Sequence, residues 1–237
     1  MRILAVIPVV VVHAAMLTLA ATNEPHDARV AVAGTVTFNG EVPAPQRIDM
    51  AGDDYCVSVQ EGAPITTSVV VDGAGRVADV FVYVKEGVSG DHAEAEGEVL
   101  MDQTGCQYAP RVVVVRTGQT LRIRNSDDTF HNVHVFANVN RSFNIGQPLK
   151  GMQARRDLDE PEIGIDVKCD VHGWMQGYMH VLDHPFFGVT GADGAFDFGA
   201  LPPGTYLVEA WHAVLGSVTE SITVTAGQQV MIELHFE

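Results

Sequence analysis

Nowhere does this chain carry a convincing amphipathic helix. Its apolar runs are short, rich in valine, isoleucine and aromatic residues, and closed by glycine, aspartate or proline. That pattern restricts it to an all-β fold, a sandwich or a barrel. Strands are expected at Val30–Phe38, at 68–71 and 77–85 around the hairpin signal Asp72-Gly73-Ala74-Gly75, and at 111–116 and 120–124 around Thr117-Gly118-Gln119. Further strands are expected at His131–Phe136, 163–169 and 177–182. Residues 141–162 are mixed in charge and poor in strand signal. They read as an irregular excursion with one short helix around 152–157. After Asp183-His184-Pro185 the pattern becomes a regular meander, with turn signals roughly every 8–12 residues.

Two features lie outside this pattern. Residues 3–21 are almost wholly apolar, follow Arg2, and end in Leu19-Ala20-Ala21 before a polar stretch. That reads as a signal peptide over residues 1–21 and places the protein in the periplasm or outside the cell. An uncleaved anchor is the other reading. No other segment is apolar enough to span a bilayer, so the mature chain has no expected membrane span. The formal net charge of −16 excludes unaided nucleic-acid binding and favours a basic partner. The three cysteines are an odd count for an exported chain. The simplest arithmetic joins Cys56 to Cys106 and leaves Cys169 as a free thiolate.

Cys169 opens the segment Cys169-Asp170-Val171-His172-Gly173-Trp174-Met175, which sets a thiolate, an imidazole and a thioether three residues apart at a strand end. A tight turn brings such spacing to one point. Upstream, His131-Asn132-Val133-His134 offers one more imidazole. Residues three apart on a strand face opposite ways, so His131 and His134 should not meet one metal. His131, at the strand start beside a polar turn, is the expected ligand. Zinc makes poor use of methionine, c-type haem needs two cysteines before its histidine, and an iron–sulfur cluster needs more thiolates. One thiolate, two imidazoles and a weak thioether suit copper in both oxidation states. Trp174 and Tyr178 would shield the thiolate from water. No nucleophile triad, paired-carboxylate motif or phosphate loop stands out, so the chain is not expected to be an enzyme. His134, His180, His184 and His212 read as satisfied sheet histidines.

Together, His131-Asn132-Val133-His134 and Cys169-x-x-His172-x-x-Met175 resemble the motifs of the cupredoxins, in particular amicyanin- and plastocyanin-like proteins, over roughly residues 106–182. The resemblance implies a Greek-key β-sandwich and one type 1 copper per chain held by His131, Cys169, His172 and Met175. It also implies that Asn132 ties the two ligand loops together. Gly173 departs from the family, where proline is common. Gly194-x-Phe196, Leu201-Pro202-Pro203-Gly204-Thr205-Tyr206 and Trp211 are similar to the carboxypeptidase regulatory-like (transthyretin-like) β-domain, a small prealbumin-like sandwich. The whole arrangement is similar to bacterial proteins labelled plastocyanin- or methylamine-utilisation-like.

The expected organisation is therefore a copper-binding region over 28–183, its core about 98–183, and a second β-domain over 184–237. The 52 residues from Phe186 are few for an independent core. Strands from 28–97 would complete it, with the copper region either inserted or in tandem. The function expected is one-electron transfer between Cu(I) and Cu(II). His172 would lie near the surface as the electron port, and a basic c-type cytochrome would be a suitable partner. A copper-delivery protein without a redox role is the alternative.

Overall fold

A computed structural model describes residues 29–66 and 68–237; the expected signal peptide lies outside them. The chain opens with β1 (Val30–Phe38), β2 (Gln46–Arg47), a single helical turn α1 (Asp54–Ser58), β3 (Ile65–Thr66) and β4 (Phe81–Glu86). It continues with β5 (Glu98–Thr104), β6 (Gln107–Ala109), β7 (Val112–Arg116), β8 (Thr120–Asn125), β9 (His131–Phe136), β10 (Phe143–Gln147), β11 (Gln153–Asp157), β12 (Glu162–Lys168) and β13 (Gln176–Leu182). It closes with β14 (Phe187–Val189), β15 (Ala195–Leu201), β16 (Gly204–His212), β17 (Gly216–Val224) and β18 (Val230–Phe236). The fold is all-β. Among the described residues no helix is long and apolar enough to cross a membrane.

Strands β5 to β13 build one sandwich. One sheet has the order β10-β9-β12-β13-β7 and the other β11-β8-β5-β6. Leu121, Ile123, Val133, Val135, Val167 and Val181 are fully buried between them. The alternating burial of β8 shows why this works, since every second side chain enters the core. The remaining long strands build a second sandwich. Here β1 lies between β15, antiparallel, and β18, parallel, while β4 lies between β14 and β16. Strands that precede the first sandwich thus complete sheets whose other members follow it.

The two sandwiches touch face to face. Phe81, Tyr83, Val112 and Leu182 form a small core at the contact, with Trp211 packed against it. Phe81, Val82, Tyr83 and Val84 are consecutive and all buried, because β4 is covered on both faces. A strand so placed loses polar–apolar alternation.

Local expectations fail in the stretch 141–162. Residues 153–157 form strand β11, not a short helix, pairing in register with β8 from Gln153↔Arg124 to Asp157↔Thr120. Most of its side chains are solvated, so the strand shows no hydrophobic period. Its charges suit an edge that must not attract another strand. Strand β10 also lies in this stretch. α1 went unseen because five residues show no period. Its signal is the N-cap, where the Asp53 carboxylate accepts the Cys56 N–H at 2.9 Å.

Gly34, in the middle of β1, tests the interleaved topology. A Cβ there would fall 2.2 Å from the Ile232 carbonyl oxygen on β18 and 2.6 Å from the Phe196 ring on β15. Gly34→Ala is expected to cost about 1–3 kcal/mol, as overpacking does, seen as a lower urea midpoint. An unchanged midpoint would mean that β1 does not lie between those two strands.

Candidate metal centre

Pairing of β9 with β12 sets the two candidate segments side by side. The ladder ends at Lys168↔His134, which leaves Cys169 beside the start of β9. His131 opens β9 and is fully buried. His134 faces the other way, 3.1 Å from Asp170 and stacked at 3.9 Å on Phe136. The turn after Cys169 is held by its own backbone. The Cys169 N–H donates to the Met175 carbonyl at 3.2 Å and the Met175 N–H to the His172 carbonyl at 2.9 Å. The His172 N–H lies 3.4 Å from the Cys169 sulfur. Asn132 joins the segments. Its Oδ1 accepts the Asp170 N–H at 2.8 Å and lies 3.2 Å from Cys169 Sγ.

The donor atoms converge. One nitrogen from each of His131 and His172 and the Cys169 sulfur lie within 4.8 Å of one another. Cys169 Sγ is 3.9 Å from His172 Nδ1, and the two Nδ1 atoms face each other at 2.9 Å. Each far nitrogen is held by a carboxylate: His131 Nε2 by Asp127 at 2.9 Å, His172 Nε2 by Asp53 at 3.1 Å. An ionised carboxylate only accepts, so both Nε2 atoms carry hydrogen. Two neutral rings would then point Nδ1 lone pairs at each other across 2.9 Å. Only a cation between them relieves that. A metal about 2.0 Å from nitrogen and about 2.3 Å from sulfur separates its donors by roughly 3.5 Å, near the spacing found.

In the metal-free chain a proton takes this place. Burial works against charge on His131, but hydrogen bonds to Asp127 and Cys169 outweigh it and raise its pKa to about 9. Burial lowers that of His172. Burial also opposes a thiolate at Cys169, yet His131 and neighbouring backbone N–H groups bring the thiol below its usual value. Asp53 follows the same logic. Burial raises it, but Thr129, the Cys56 N–H and His172 together lower it to about 2.

Met175 is buried in the same core as Cys169. Trp174 donates from Nε1 to the Cys106 carbonyl at 3.1 Å, its ring 4.9 Å from that of His172. Tyr178, expected near the thiolate, packs on Trp211 at 5.5 Å instead, because its side chain leaves the other face of the sheet. Tyr108 covers the site, its hydroxyl donating to the Asn132 carbonyl at 2.6 Å.

His172, expected near the surface as the electron port, is covered: it is 3% exposed. α1 lies over it, fixed by a disulfide between Cys56 and Cys106, with the Cys56 sulfur 3.9 Å from His172 Nε2. Sequence reasoning missed Asp127, Asp53 and Tyr108. Asp127 had a signal, four residues before His131, but reads as turn chemistry. Asp53, 119 residues from His172, had none. His180, His184 and His212 lie elsewhere, accepting backbone N–H bonds from Gly164, Phe186, and Val214 and Leu215. Among the described residues every group of three or more candidate ligands falls at this one centre.

No protein-family model matches the chain, and no curated protein matches it. Among solved structures it is similar to a Cu-containing nitrite reductase from Thermus scotoductus SA-01, at 19% identity and TM-score 0.35, over 41% of this chain and 25% of that one. It therefore spans about a quarter of the length of that relative. It is also similar to an oxidized proline-to-glycine mutant of amicyanin, at 24% identity and TM-score 0.33, over 42% of this chain and 97% of that one. A purple cupredoxin from Nitrosopumilus maritimus matches at 20% identity and TM-score 0.30, over 36% of this chain and 99% of that one.

The proton on His131 makes metal uptake pH-dependent. A metal ion seated there would have to displace it, so apparent affinity should rise with pH from 6.5 to about 9 and level off above. Binding at pH 7.5 should release at least one proton, read by titration in weak buffer. A flat affinity profile over that range would show that the site holds no such proton.

Proposed function

We propose that this chain binds one copper ion at a type 1 site and carries single electrons. The observation behind this reading is the pair of buried Nδ1 atoms facing each other at 2.9 Å, with the Cys169 sulfur 3.9 Å from that of His172. His131, Cys169 and His172 would hold the ion, with Met175 as a weak fourth donor. Copper bound there would supply a one-electron couple between Cu(I) and Cu(II).

The surrounding residues suit that task. Both imidazoles are fixed by carboxylates, the ligand turn is fixed by its own backbone, and a disulfide closes the cover. Donors that cannot move keep rearrangement small when charge changes. Rigidity and burial favour a carrier over a delivery protein, whose ligands an acceptor must displace one by one. Tyr108, Trp174 and α1 exclude water from the thiolate. The acidic chain, at −16, would attract a basic redox protein such as a c-type cytochrome. The disulfide fits a periplasmic or secreted location. We read β1, β4 and the strands from β14 onward as a carboxypeptidase regulatory-like β-domain serving as support.

The visible spectrum during Cu(II) titration tests this. An intense thiolate-to-copper band should saturate at one copper per chain and vanish in Cys169→Ser. Met175→Leu should keep the colour and raise the midpoint potential, since losing a weak donor disfavours the more highly charged ion. A colourless protein would overturn the reading.

A further inference from the structure

The two carboxylates that hold the imidazoles come from different places. Asp127 sits four residues before His131, in the turn that leads into β9. Asp53 reaches His172 from outside the site-bearing sandwich, 119 residues earlier in the chain. Three partners fix it. Its Oδ1 accepts the Cys56 N–H at 2.9 Å; its Oδ2 accepts the Thr129 hydroxyl at 2.6 Å and the His172 Nε2–H at 3.1 Å.

The disulfide joins the two carboxylates into one assembly. Asp127 accepts the Gly105 and Cys106 N–H groups, each at 2.8 Å. Cys106 is bonded to Cys56, three residues from Asp53. Tyr55, within α1, donates its hydroxyl to Asp127 Oδ1 at 3.2 Å. A helical turn with a capping aspartate needs only the Oδ1 contact. The Oδ2 atom is left to accept from Thr129 and from the far edge of the His172 ring.

We propose that Asp53 is a positioning residue for His172, delivered by the disulfide-tethered α1, and that it lowers the reduction potential of the bound copper. This rests on the copper-carrier reading above. An anionic partner on the far N–H of a ligand imidazole fixes the ring and makes it a stronger donor. A stronger donor favours Cu(II) over Cu(I). The same cover closes the imidazole edge to solvent and to a docking partner, so electrons must leave by another part of the ligand turn.

Two measurements separate this proposal from the copper reading. The first uses metal-free protein. Nitrogen-15 spectra should show a protected His172 Nε2–H resonance that disappears in Asp53→Ala. Its absence from the wild-type protein would overturn the positioning role, whatever copper does. The second uses copper-loaded protein. Asp53→Asn, which keeps size and removes charge, should retain one copper and shift the midpoint potential upward. Cys56→Ser/Cys106→Ser, which loosens the tether, should shift it the same way and speed hydrogen exchange at His172 Nε2. An unchanged potential in Asp53→Asn would reduce Asp53 to a helix cap. If that variant does not fold, the double-serine variant decides: an unchanged potential and exchange rate there overturns the proposal. Failure of the wild-type protein to bind copper overturns the function and the effect on potential, and leaves the metal-free spectra to judge the positioning.

Discussion

Two imidazoles whose outer nitrogens are held by carboxylates must turn their inner lone pairs on each other, and the rest of the centre follows from that. The arrangement is unfavourable without a cation, and burial makes it more so. In the metal-free chain His131 binds a proton that burial alone would remove. Asp53 and Asp127, both lowered by their hydrogen bonds, then flank one imidazolium. A cation seated between the two imidazoles would take over the place of that proton.

Rigidity comes from chain sections far apart in sequence. β9 supplies His131 and Asn132, and the turn after β12 supplies Cys169 and His172. The N-cap of α1 supplies Asp53, and the β5–β6 turn carries the cysteine that ties the helix down. The sandwich itself is braced from outside. His180 on β13 stacks on Phe81 of β4 at 3.9 Å and lies edge-on to Trp211 at 4.8 Å. Burial pushes His180 down to about 3, so it stays neutral and serves as an aromatic plate between the sandwiches.

What could be read in advance follows from the range of each signal. Strand alternation and turn residues act over a few positions, so β1, β8, β9 and β13 were legible almost to their ends. The same argument separated His131 from His134, because opposite faces of a strand are a local fact. The meeting of Cys169 with His172 was legible because both lie on one short loop. Asp127 was visible but had a commoner explanation as a turn residue. The burial of His172 was illegible, since its cover comes from an element with no period and a partner 119 residues away. β11 was misread because an exposed, charged edge strand takes its conformation from the hydrogen bonds of β8, which lie outside its own residues.

The interleaving of the second sandwich ties together sections of the chain that lie far apart. β1 takes β15 on one edge and β18 on the other, and Thr37 and His235, bonded across the second ladder, are 198 residues apart. The sandwich bearing the candidate centre is built from the contiguous strands β5 to β13, so its closure needs none of those pairings. The outer sandwich carries the larger loop-closure cost, and the candidate centre is braced by the part of the fold that is most expensive to assemble.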